Sequence, residues 1–211
     1  MAALKNIIFD LGGVIVDLNP QRCFEAFAQV GITNASDLFK PPYADPFWRV
    51  TEVDGISTVE SCALIRSLSG TTVPDDDIVW AWNQFLERIT DARKQRLLAL
   101  GKHYRVFLLS NTNEMHWEYT AQQLLPYQTS TASDYFEHVF LSYEMHLAKP
   151  QVEIFAEALS QAGLQAEETL FIDDRKENCD AAAQLGIRTY HNLHVDDWLF
   201  TNEVPLSGNI Q

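Results

Sequence analysis

Five short apolar runs punctuate the chain, at residues 6–9, 105–109, 138–141, 169–172 and, more weakly, 188–191. They are rich in Ile, Val, Leu and Phe and too short to be helices, so they predict strands buried on both faces. Between them the apolar positions recur at helical spacing. Residues 90–102 carry Leu97, Leu98 and Leu100 and stop at Gly101. Pro150 opens a predicted helix whose apolar face is Ile154, Phe155, Ala158 and Leu159 and which ends at Gly163, and a third helix, 176–185, ends at Gly186. Strands alternating with amphipathic helices predict an α/β fold with a Rossmann-like parallel sheet core and helices on both faces.

Residues 17–89 break that rhythm. They show no strand signals, only helical segments at 20–30, 34–39 (ahead of Pro41 and Pro42), 57–69 and 74–89. Ser57 and Glu60 have the spacing of a capping box. The pattern predicts a core of residues 1–16 and 90–211 with a small helical-bundle cap domain, 17–89, inserted after the first strand. Trp80, Trp82 and Phe85 are expected to pack on the last cap helix. Tyr43, Phe47 and Trp48 fall in a loop-like segment, where they pack or cover a substrate. Residues 201–211 read as a loose end.

Composition narrows the choice. With 211 residues and 46% hydrophobic content, the chain can bury one sizeable core and a smaller satellite. Fifteen basic against twenty-nine acidic residues give a net charge of -14, the wrong sign for holding nucleic acid or an anionic membrane. No apolar run approaches the roughly 18 residues of a membrane span. The N-terminus reaches Asp10 before a secretory segment develops. Cys23, Cys62 and Cys179 form no C-x-x-C pair and are expected to be buried thiols in a reducing compartment. These features predict a cytoplasmic protein that engages neither nucleic acid nor membrane. His191 and His194 are expected in a solvated loop, and the oligomeric state stays open.

The chemistry gathers where the strands end, which in a parallel sheet is where ligands bind. The first strand delivers Asp10, followed by Gly12 and Gly13; the second delivers Ser110 and Asn111. The third leads to Lys149, and the fourth to Asp173 and Asp174. Three converging carboxylates repel one another unless a cation sits among them, and an all-oxygen site suits Mg2+. Ser110 and Asn111 can donate to phosphate oxygens, and Lys149 supplies the positive charge the acidic chain lacks. Gly12 and Gly13 allow a sharp turn that presents N–H groups to an anion. Asp10 is then placed to attack phosphorus and form an aspartyl-phosphate.

At these residues the chain resembles the haloacid dehalogenase-like superfamily. Its phosphatases carry an Asp nucleophile after the first strand, a Ser or Thr after the second, a Lys at a helix start and an acidic pair after the fourth. Asp10, Ser110, Lys149 and Asp173-Asp174 match in order over nearly the whole chain, and 17–89 is similar to the family's helical cap. The resemblance implies Mg2+ held by Asp10, the Gly12 carbonyl and Asp174, with Asp173 acting through water and Asn178 bracing the loop. Motifs such as FDLGGVIVDLN and DDRKEN look most like a branch with phosphatases of sugar phosphates, including glucose-1-phosphate phosphatases. The implied activity is hydrolysis of a small phosphorylated metabolite. A metal-independent dehalogenase and a non-catalytic phosphate-binding protein are the alternatives. One position departs from the pattern: the family's general acid and base, two residues after the nucleophile, is Gly12 here. Asp17, Glu52, Asp54 and His116 are the candidates to replace it.

Overall fold

The computed structural model describes residues 2–39 and 46–201. Tyr43 and the tail beyond Thr201 lie outside the described residues. In chain order, β1 (Asn6–Phe9) is followed by the two-residue β2 (Asp17–Leu18) and by helices α1 (Pro20–Gln29), α2 (Ala35–Leu38), α3 (Pro46–Glu52), α4 (Thr58–Ser69) and α5 (Asp75–Asn83). Next come β3 (Leu86–Arg88), α6 (Asp91–Leu100), β4 (Arg105–Ser110), α7 (Glu114–Tyr119), α8 (Ala132–Tyr135), β5 (His138–Leu141) and α9 (Ser142–Met145). The last elements are α10 (Val152–Ala162), β6 (Thr169–Asp173), α11 (Lys176–Ala183) and β7 (Arg188–His191).

Among the described residues the main sheet has five parallel strands in the order β5-β4-β1-β6-β7. Side chains alternate between its faces, as the two-residue period of a strand requires. Ile7, Phe9, Val106, Leu108 and Ile172 pack into one apolar layer, while Ile8, Phe107, Leu109 and Phe171 pack into the other. Covering both faces explains why these strands read as continuous apolar runs. The chain leaves β1 to build β4 and β5 on one side, then returns to build β6 and β7 on the other. The strand order therefore reverses at β1, and a crevice opens beyond its carboxyl end.

The cap helices enclose a separate apolar core of Phe27, Phe39, Phe47, Ile65, Ile78 and Trp82, which also takes in Met115 from α7. Three of its rings crowd Trp82, with centroids 5.1–6.1 Å away. Helix α4 begins with the expected capping box: the Ser57 amide donates to Glu60 at 2.9 Å, and the Glu60 amide donates back to the Ser57 hydroxyl. The three cysteines are buried and free. No helix among the described residues is long and apolar enough to cross a membrane.

Several local expectations need correction. The helix expected over 74–89 stops at Asn83, and residues 86–88 pair with 17–18 as an antiparallel ribbon. Strands of two and three residues are too short to show an alternating pattern. Asp17 fastens this ribbon through ion pairs with Arg88 and Arg93 at 2.9 and 2.7 Å. Phe47 and Trp48 belong to α3 rather than a loop, and Trp80 is exposed on α5 instead of packed. Pro150 does not open α10; it precedes the N-cap, Gln151, in a cis peptide with Lys149. His191 ends β7 rather than lying in a loop.

Candidate active site

Asp10 follows β1 directly, its amide donating to the Ile172 carbonyl at 2.9 Å. Ser110 and Asp173 are the last residues of β4 and β6, so the sheet itself sets their positions. The Lys149 ammonium stands between two of the carboxylates, 2.7 Å from Asp10 Oδ1 and 2.8 Å from Asp173 Oδ2, and donates to the Leu109 carbonyl at 2.9 Å. All three charged side chains are buried. Asp10 and Lys149 line a cavity of about 110 Å³ together with Gly12, Ser110, Asp174, Arg175 and the cap residue Glu52, and Asp173 stands behind Lys149.

Burial dominates the electrostatics. It pushes the Asp10 carboxyl up to about 7, opposed by Lys149 and reinforced by Asp173. Burial alone would lower the Lys149 ammonium, but Asp10 and Asp173 outweigh it and hold the group above its ordinary value. Asp174 is raised by burial and by the neighbouring Asp173 charge. One ammonium among three carboxylates leaves an excess of negative charge in a poorly solvated site, which a cation would relieve.

The donor set fits Mg2+. Asp10, Asp173 and Asp174 each offer an oxygen, all within 4.8 Å of one another, and hard oxygen ligands are what that ion prefers. Gly13 makes the approach possible. Its φ is +72°, and a Cβ there would lie 2.7 Å from Asp174 Oδ2, so a side chain would displace the carboxylate. The Gly13 amide donates to Val16, within the loop. Among the described residues, the amides of Leu11 and Gly12 donate to no protein acceptor and can receive an anion.

Asn111 lines the cavity and has a structural role there as well. Its side chain was expected to hold phosphate, yet both ends engage the Lys149 backbone: Nδ2 donates to the carbonyl and Oδ1 accepts from the amide, each at 2.9 Å. A side-chain amide engaged with the main chain on both sides holds the lysine in place from the cavity wall. Asn178 donates to both Asp173 oxygens at 2.9 and 3.0 Å, and the Arg175 amide completes that clamp at 2.8 Å. Asp173 is thus held by Lys149, Asn178 and Arg175, whereas among the described residues Ser110 Oγ makes only a 3.4 Å contact with the next carbonyl.

Of the four replacements considered for the missing acid, three are engaged elsewhere. Asp17 is held by Arg88 and Arg93, and Asp54 pairs with Arg49 at 3.6 Å. His116 lies between the rings of Trp82 and Phe85, both nearly parallel to it, and its Nε2 donates to the Trp82 carbonyl at 3.2 Å. Burial lowers its imidazole to about 4, so it is neutral. Glu52 and His116 both line the reaction cavity, but of the two only the Glu52 side chain does so without a protein hydrogen-bond partner among the described residues; burial pushes its carboxyl up to about 8, with Asp10 reinforcing and Lys149 and Arg175 opposing. Arg175, Trp48, Phe85 and Leu18 also line the cavity. Arg175 arrives as the residue after the acidic pair, and Trp48 is one of the aromatics expected to pack or cover a substrate, whereas nothing in the spacing of Phe85 and Leu18 marked them.

The parallel sheet gathers a lysine-bridged carboxylate cluster at its switch point, and the helical cap closes a cavity over it. The chain belongs to the haloacid dehalogenase-like hydrolases, whose family pattern matches residues 4–186. It is similar to a D-ribitol-5-phosphate phosphatase of Bacteroides thetaiotaomicron, with 29% identity over 92% of this chain and 95% of that one. Among solved structures it is similar to a family enzyme from B. thetaiotaomicron in complex with magnesium and inorganic phosphate, at 41% identity and TM-score 0.89, covering 94% of this chain and all of the other. A HAD-like family hydrolase from Porphyromonas gingivalis matches at 30% identity and TM-score 0.84, over 93% and 95% of the two chains.

Proposed function

We propose that this hydrolase is a Mg2+-dependent phosphatase that takes a small phosphorylated metabolite through an aspartyl-phosphate on Asp10. The observation that carries the reading is the Lys149 ammonium bridging Asp10 and Asp173 beside an anion-ready loop. Asp10, the Gly12 carbonyl and Asp174 would hold the metal. Bound there, Mg2+ supplies charge neutralisation for the transferring phosphoryl group. Lys149, the Ser110 hydroxyl and the Leu11 and Gly12 amides hold the phosphoryl oxygens, so that Asp10 meets phosphorus in line. Asp173, fixed by Asn178 and Arg175, keeps Lys149 charged and in place.

The named substrate of the B. thetaiotaomicron relative, a polyol phosphate, supports sugar or polyol phosphates as the class to test first. That substrate is a primary phosphomonoester with a weakly acidic leaving group, which calls for a proton donor in the site. Three free buried thiols and the acidic surface support a cytoplasmic protein that binds neither nucleic acid nor membrane. We further read residues 17–89 as the substrate-selecting cap on a core of 1–16 and 90–211. Phosphate release from p-nitrophenyl phosphate, sugar 1-phosphates and polyol 5-phosphates tests the reading. It should require Mg2+ and disappear in excess EDTA; halide release from 2-haloacids without metal would instead mark a dehalogenase.

A further inference from the structure

We propose that Glu52, carried by cap helix α3, is the general acid and base of this site, standing in for the carboxyl that Gly12 lacks. The inference rests on the phosphatase reading above. Glu52 is only 7% exposed and lines the cavity that holds Asp10, Ser110 and Lys149. Among the described residues, no group hydrogen-bonds to its carboxyl. A largely buried carboxyl that lines the cavity with no protein partner is placed to meet a ligand there.

The position is built from both sides. Thr51 Oγ1 donates back to the Phe47 carbonyl at 3.0 Å, and Phe47 is sunk in the cap core. One residue past Glu52, the Val53 carbonyl accepts from His146 Nδ1 at 2.9 Å. Gly55 then passes so close to the core that a Cβ on it would lie 2.6 Å from the Tyr143 carbonyl, and its φ is +71°. Glu52 therefore sits on a segment wedged against α9 and its following turn, not on a free loop. Asp17, Asp54 and His116 are all committed elsewhere. Burial raises the Glu52 carboxyl, the direction a proton donor needs.

In the first half-reaction an Asp10 oxygen bonds to phosphorus while the bond from phosphorus to the ester oxygen breaks. The Glu52 proton goes to that oxygen, releasing a neutral alcohol and leaving Glu52 ionised. In the second, a water oxygen bonds to phosphorus, its proton passes to Glu52, and the bond from phosphorus to Asp10 breaks. Phosphate leaves, with Asp10 ionised and Glu52 protonated again.

The test is the single-turnover phosphorylation rate across a matched series from p-nitrophenyl phosphate to primary alkyl phosphates, in Mg2+-loaded wild type and Glu52→Gln. Wild type should depend weakly on leaving-group pKa. Glu52→Gln should lose about 10²- to 10⁴-fold on alkyl phosphates, the usual contribution of a general acid, while p-nitrophenyl phosphate phosphorylates Asp10 near the wild-type rate. The variant should also release a burst of nitrophenol stoichiometric with enzyme, because hydrolysis of the intermediate has lost its base. A steep wild-type dependence, or an equal loss on both kinds of ester, overturns the assignment. The wild-type slope needs no variant, so poor folding of Glu52→Gln does not shield it. If Asp10→Asn is inactive while Glu52→Gln falls equally on both esters, only the role of Glu52 fails and the phosphatase reading stands.

Discussion

Asn111 grips Lys149 by its main chain at both ends, accepting from the amide and donating to the carbonyl at 2.9 Å each. The contact spans β4 and the turn before α10, and it decides where the ammonium stands between Asp10 and Asp173. Asn111→Ala should lower the phosphorylation rate about 10²-fold, the scale of an ångström-level misplacement. Asn111→Asp should recover little, since a carboxylate cannot donate to the Lys149 carbonyl. Stopped-flow rates with p-nitrophenyl phosphate check this; an unchanged rate in Asn111→Ala would show that Lys149 needs no such hold.

The metal should appear as stability. A ligand that binds only the folded state adds about 2.7 kcal/mol at 100 times its dissociation constant, so the melting temperature should climb with the logarithm of Mg2+ concentration. Asp174→Ala should remove the climb. Gly13→Ala should weaken it as well, because the new Cβ would meet Asp174 Oδ2 at 2.7 Å and the residue would be held at positive φ, a strain of roughly 1–3 kcal/mol. Calorimetric scans of the three proteins check this; a melting point indifferent to Mg2+ in wild type would contradict the metal site.

His116 gives the cap interface an acid weakness. Its folded value is about 4, against an ordinary value near 6.5 in the unfolded chain. A depressed value means that the unfolded state binds the proton first. The stability from a neutral His116 is therefore complete above about pH 6.5 and is lost as pH falls toward 4. The destabilisation caused by His116→Gln at pH 7 should shrink by about 2 kcal/mol at pH 4.5. Urea unfolding at the two pH values measures it, and a difference independent of pH would contradict the assignment.

The strand ends were legible because burial on both faces makes short parallel strands stand out as apolar runs, and Asp10, Ser110 and Asp173 interrupt those runs abruptly. Asn178 was legible through resemblance. The use of Asn111 was not, because a side-chain amide can serve a phosphate or a backbone equally well and the choice depends on a turn 38 residues away. The β2–β3 ribbon was hidden by its length. Glu52 could be named only as one of four, since its arrival in the cavity depends on His146 meeting Val53 and on Gly55 meeting Tyr143 across the cap–core boundary.

The central claim is that Asp10 carries the phosphoryl group, and rapid acid quench followed by peptide mass spectrometry tests it most directly. Wild type mixed with Mg2+ and substrate should yield an acid-stable, hydroxylamine-labile phosphoryl adduct on the peptide containing Asp10, formed and lost at rates competent for turnover. Asp10→Asn should yield neither adduct nor product. Turnover in Asp10→Asn, or a kinetically competent adduct on any other residue, would contradict the account.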